Sequence, residues 1–85
     1  MTDTIALTDQ NFDAIITRAP RPVVVEFWAI GQRPASGHLA QLLAGQASVT
    51  RLDVDANPEL ALRLGVKSLP GFAVFAGGQL VYQGG

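Results

Sequence analysis

Cysteine is absent from these 85 residues, and the absence excludes a good deal of chemistry. Without a thiol the chain forms no disulfide, carries no thiolate nucleophile and builds no cysteine-based zinc site. A single histidine leaves no basis for a His-rich metal centre either. Charge is sparse as well. Charged residues make up 15% of the chain and the net charge is −1, with no basic run interleaved with aromatics, so nothing marks a nucleic-acid binder. No apolar run approaches the roughly 20 residues that cross a bilayer. The acidic start, Met1 to Asp9, lacks the apolar segment of a secretory signal. These absences predict a cytoplasmic protein with no metal, no cofactor, no membrane and no nucleic-acid partner.

Hydrophobic residues, at 48%, are sufficient for one small packed domain over residues 1–85. A chain of this size buries only about 60–65% of its unfolded surface, so modest stability is expected. The segment it is organised around runs from Val23 to Pro34. Val23-Val24-Val25 leads into Glu26-Phe27-Trp28-Ala29, bounded by Pro22 and Gly31, which reads as a strand buried on both faces. Pro34 then stands where a helix can start. In open α/β sheets the loops at the carboxyl ends of strands are where sites lie. Glu26 is out of place among apolar neighbours, and a carboxylate there needs a partner or hydrogen bonds.

In chain order, Thr4–Leu7 reads as a short strand, with Thr8 as the cap of a following helix and Asp9 in its first turn. Phe12, Ile15 and Ile16 fall on one helical face. Ala35 to Gly45 carries Leu39, Leu42 and Leu43 in one stripe, with Gly45 as a stop. Val49–Val54 alternates as a strand. Asn57-Pro58-Glu59 starts a helix that Gly65 closes. Phe72–Phe75 and Gln79–Tyr82 pair through a tight Gly77-Gly78 turn. The order βαβαβ then αββ predicts an α/β mixed sheet with a parallel core and an antiparallel edge. Period-2 alternation puts Phe72 and Val74 on one side, and Leu80 with Tyr82 on one side of the edge strand.

The segments Phe27-Trp28-Ala29, LTDQNFDAII, RLDVDANPELALRLGV, KSLPGFAVF and GGQLV together resemble the thioredoxin family. The resemblance covers nearly the whole chain and implies a thioredoxin-like fold. It also implies two redox cysteines, which would fall near Gln32 and Ala35, flanking Arg33-Pro34. Neither is present, so the expectation is of a chain that is not an enzyme. From Trp28 to Arg51 the sequence is several residues shorter than the family, which predicts an active-site helix short by roughly one turn. The family continues past Gly84-Gly85 into a final helix, so the chain is expected to be truncated relative to the family, with one sheet face open to a homodimer partner.

The resemblance further implies that Glu26 and Arg51 occupy the family's buried acid–base pair, expected here as a leftover ion pair. It also implies that Leu69-Pro70, after Ser68, is a cis X–Pro bond beside the active site. Ser36 and His38 sit two apart, a spacing that does not bring helical side chains together, and no acid orients the imidazole. Asp53 and Asp55 flank Val54 in a segment that leads into the next helix, so they are not read as a metal cluster. The expected role is a non-catalytic protein-binding or chaperone-like module. It would take a protein or extended peptide on a vestigial surface of Trp28, Ile30, Gly31, Gln32, Arg33, Pro34, Ala35, Leu69 and Pro70. The alternatives are a degenerate thioredoxin oxidoreductase tied to cell redox homeostasis but inactive itself, or a structural fragment.

Overall fold

A computed structural model describes residues 4–32, 36–67 and 69–84. The elements follow in the order β1 (Ile5–Leu7), α1 (Phe12–Arg18), β2 (Val23–Trp28), α2 (Ser36–Leu42), β3 (Ser48–Asp53), α3 (Pro58–Arg63), β4 (Gly71–Ala76) and β5 (Gln79–Gly84). This is the predicted α/β order. The strands form one five-stranded sheet ordered β1-β3-β2-β4-β5. β3 runs parallel to both β1 and β2, while β4 is antiparallel to β2 and β5 antiparallel to β4.

Alternation along β2 divides the sheet into two faces. Val23, Val25 and Phe27 point to one face, where they meet Leu7, Leu52, Ala73 and Phe75 beneath Phe12 and Ile16 of α1 and Leu60 of α3. The Phe12 and Phe75 rings meet edge-on, with centroids 5.5 Å apart. Thr50, fully buried among these residues, donates its hydroxyl to the Val24 carbonyl at 2.8 Å and leaves no polar atom unpaired there. The other face carries Val24, Glu26 and Trp28, and α2 packs on its β3 side, where Ala40 and Val49 are buried. Phe72 and Val74, further along that face, are half-buried.

Two local expectations change. Thr8 does not cap α1 directly. Its hydroxyl accepts the Gln10 and Asn11 N–H groups in a turn, and the helix begins only at Phe12. Asp9 is used elsewhere: its carboxylate accepts the Leu60 N–H at 3.0 Å, while its own N–H donates to Asn57 Oδ1 at 3.1 Å. The β1–α1 loop therefore caps α3 across 51 residues of sequence. A pattern reading assigns a capping acid to the helix that follows it, so sequence alone could not find this contact. The second change is at β5, where a register shift sets Leu80 opposite Phe75 and Tyr82 opposite Val74. Those partners face opposite sides, so the bulge separates two residues that plain alternation places together.

Gly77 and Gly78 both take positive φ, 60° and 80°, as a two-residue hairpin turn of type I′ requires. Gly65 ends α3 at φ 66°, the left-handed position expected of it. On the surface, Arg63 pairs with Asp13 at 2.7 Å and lies over the Phe12 ring, its guanidinium carbon 5.3 Å from the centroid.

Two predictions follow from these contacts. Asp9→Ala removes the acceptor for an otherwise unpaired helix N–H and lowers stability by about 1 kcal/mol, whereas Asp9→Asn keeps most of it. Urea unfolding midpoints check this, and equal losses in both variants would contradict the capping role. The Arg63 hydrogen bond, with a smaller contribution from its charge, holds the Asp13 carboxyl below its ordinary value despite some desolvation, and raises Arg63 in turn. A depressed carboxyl pKa stabilises above the unfolded value, and the contribution is lost as pH falls through the folded one. The small stability gap between the wild type and Asp13→Asn at pH 7 therefore narrows as the pH falls below 3.8, the ordinary aspartate value. A gap that stays constant with pH would show that the pair contributes nothing.

Candidate functional site

The carboxyl end of β2 is where the predicted site residues gather. β2 lies between β3 and β4, and its register with each brings three loops to one place. Trp28 pairs with Asp53 at the end of β3, and Phe27 pairs with Gly71 at the start of β4. Pro70 directly precedes Gly71 and so leads into β4 at this end of the sheet. The Leu69–Pro70 bond is cis, as the resemblance implied. Ser68, Arg33, Pro34 and Ala35 lie outside the described residues.

The chain leaves β2 through a tight turn. Gly31 has φ 96°, which side-chain-bearing residues rarely adopt, and the turn closes with the Gln32 N–H on the Ala29 carbonyl at 3.1 Å. The Gln32 side chain then folds back, its Oε1 accepting the Ala29 N–H at 3.1 Å. At a position where the resemblance implied a thiol, this chain holds an amide that fixes the turn. Ile30 at the tip is 82% exposed, a large apolar side chain with little to cover it.

On the α3 side of the same end lies a hollow of about 530 Å³ lined by Val54, Pro58, Ala61, Leu62, Val66, Lys67 and Leu69. Among these only Leu69 was singled out from the sequence. Val54 and Leu62 were passed over as ordinary strand and helix residues, yet Leu62 is 83% exposed beside the hollow. The available signal was the run Leu60, Leu62 and Leu64, in which the middle residue breaks helical spacing and must point away from the core.

Glu26 is 3% exposed and stands beside Arg51 in the β2–β3 register, on the α2 face. Trp28 follows on the same face, and its indole Nε1 is buried without a hydrogen-bond partner among the described residues. Such a donor costs about 1–3 kcal/mol when left unmade. Asp53 serves its own turn, its carboxylate accepting the Asp55 and Ala56 N–H groups. No group of three or more His, Asp or Glu able to hold a metal occurs among the described residues. His38 is exposed on α2, and no described helix is long and apolar enough to cross a membrane.

A parallel three-strand core extended by an antiparallel hairpin, with a cis X–Pro bond beside the end of its central strand, defines a thioredoxin-like α/β fold. The Thioredoxin family model matches residues 3–84. A thioredoxin of Streptomyces clavuligerus is 35% identical over 88% of this chain and 75% of its own length. One from Alicyclobacillus acidocaldarius is 36% identical over 94% of the chain and 81% of its own. The bifunctional thioredoxin reductase/thioredoxin of Mycobacterium leprae is 38% identical over 92% of the chain, which spans only 18% of that protein. The chain belongs to the thioredoxin family.

Two expectations are corrected by these relatives. The non-catalytic protein-binding or chaperone-like role finds no support, because the similar proteins are named thioredoxins and their names point to redox function. The expectation that the chain is not an enzyme fails on the same ground, since the family is one of oxidoreductases. The missing cysteine decides something narrower: no thiolate comes from this chain.

The neighbouring positions of Glu26 and Arg51 give a further prediction. Arg51→Met, which leaves the buried acid without that cation, lowers stability more than Glu26→Leu combined with Arg51→Met. Denaturant unfolding of the two variants checks it, and a less stable double variant would rule out a pairing between these side chains.

Proposed function

We propose that this chain serves thiol–disulfide exchange in cell redox homeostasis as a cysteine-free member of the thioredoxin oxidoreductase family. It acts in the cytoplasm on extended, disulfide-bearing segments of other proteins. The observation that carries this reading is the apolar hollow that Val54, Leu62 and Leu69 line beside the end of β2, where the Val54 N–H donates to the Trp28 carbonyl. The names of the relatives support its redox side.

Exchange begins when a thiolate attacks one sulfur of a disulfide and displaces the other. The chain contains no cysteine, so that thiolate comes from an external dithiol. Its attack forms a mixed disulfide and releases the second substrate sulfur as a thiolate. The donor's other thiol then closes the donor disulfide and frees the first substrate sulfur. Two electrons and two protons pass from donor to substrate. The chain's part is to hold the peptide extended along the β4 entry, with apolar side chains in the Leu69–Leu62 hollow, so that the disulfide stays open to attack. In this reading Trp28, Ile30, Gly31 and Gln32 at the end of β2, with Arg33, Pro34 and Ala35 following them in sequence, also contact the peptide.

Insulin reduction by a small dithiol, followed with and without the chain, tests the proposal. The chain alone reduces nothing, and with the dithiol it raises the rate above that of the donor alone. Trp28→Ala and Leu69→Ala each remove most of that increase. A rate unchanged by the chain, or an increase that survives both substitutions, would refute the reading.

A further inference from the structure

Val66 and Lys67, which follow α3, line the apolar hollow beside β2 and also a second one. The second, of about 350 Å³, reaches from the end of α3 to β4 and β5, with Leu64, Gly65, Gly71, Gln83 and Gly84 among its lining residues. Its glycines leave the walls largely to backbone, and Gln83 adds an amide, so it is polar where its neighbour is apolar. Gln83 Nε2 donates to the Leu64 carbonyl at 2.8 Å, which ties that amide to the fold. Among the described residues that line either hollow, Lys67 alone is charged. It is exposed and makes no hydrogen bond or ion pair to another described residue. The charges nearest in sequence are engaged or set apart. Arg63 pairs with Asp13, and the Asp53 carboxylate accepts two N–H groups of its own loop. Asp55 precedes α3 and Glu59 lies in its first turn, and neither lines a hollow.

An extended chain sends residues i and i+2 to the same side, about 6.5 Å apart. Two hollows that share a two-residue wall suit such a pair. An apolar side chain seated in one brings the residue two places away to the polar hollow, beside the Lys67 ammonium. Given docking at the site proposed above, we propose that the segment this chain takes carries an acidic residue two places from its apolar anchor. Lys67 is the residue that selects it. Its charge attracts a carboxylate at that place and repels a substrate cation there, so the discrimination works in both directions.

Titration of labelled, disulfide-bearing peptides, followed by fluorescence anisotropy, tests this. Each peptide carries one leucine, with Asp, Asn or Lys two places to either side of it. The wild type is compared with Lys67→Gln, Lys67→Glu and Lys67→Arg. At low salt the best-placed Asp peptide binds about two- to fivefold tighter than its Asn counterpart, the range of an exposed ion pair. The Lys peptide binds weakest. Raising the salt shrinks the difference, Lys67→Arg keeps it, Lys67→Gln abolishes it and Lys67→Glu reverses it. A Lys67 of merely structural use would shift all the peptides alike. Equal affinities, each weakened by Leu69→Ala, would overturn this inference and leave the docking site standing. So would an acid preference that survives Lys67→Gln, or one that is as strong with the acid directly beside the leucine. Failure of every peptide to bind would overturn both.

Discussion

The site depends on β2 being gripped along both edges and on one face. Its parallel register with β3 and its antiparallel register with β4 are what bring Trp28, Asp53 and Pro70 to the same end of the sheet. The row Val23, Val25 and Phe27, almost wholly buried under α1 and α3, fixes those registers, because a slip by one residue would turn all three into the opposite face. Each such side chain contributes about 1.5–3 kcal/mol by leaving water, a large share of the stability of a small domain. Asp9 acts on the same packing from a distance, tying α3 to the loop that leads into α1.

Around that frame, the chain has kept the scaffold of an oxidoreductase and redirected groups at its reactive end. The Gln32 amide closes a turn on Ala29, and the Asp53 carboxylate accepts two backbone N–H groups of its own loop. The same end also presents an exposed Ile30 and an apolar hollow beside the Leu69–Pro70 entry to β4. These groups supply no thiolate, so under the proposed reading an external dithiol provides it.

Much of this was legible in the sequence. The β-branched run in β2, the Asn57-Pro58 helix start, the Gly77-Gly78 turn and the Gly65 stop are local signals, and each marks the feature it predicts. The losses came where local rules meet distant contacts. Asp9 reads as a cap for α1 and serves α3. Thr8 reads as a cap and forms a turn instead. Leu80 and Tyr82 alternate in sequence, yet a bulge that no local signal marks puts them opposite residues of different faces. At the site, Trp28, Leu69 and Pro70 could be named because they resemble a known pattern, whereas Val54 and Leu62 could not, since only the packing of α3 beside the β4 entry gives them a shared hollow. The role read from the missing thiols was wrong for a different reason. A missing nucleophile limits what a chain can supply, but it does not say which reaction the chain takes part in.

The central claim is that substrate docks at the carboxyl end of β2 and the entry to β4. Backbone amide chemical shifts, followed as a disulfide-bearing peptide is added to the isotope-labelled chain, test it most directly. The account predicts saturable changes at Trp28 to Gln32, at Leu69 and Gly71, and at Val54 and Leu62 around the hollow. Changes concentrated on β5 or at the Val23 end of the sheet, or none at peptide excess, would contradict it.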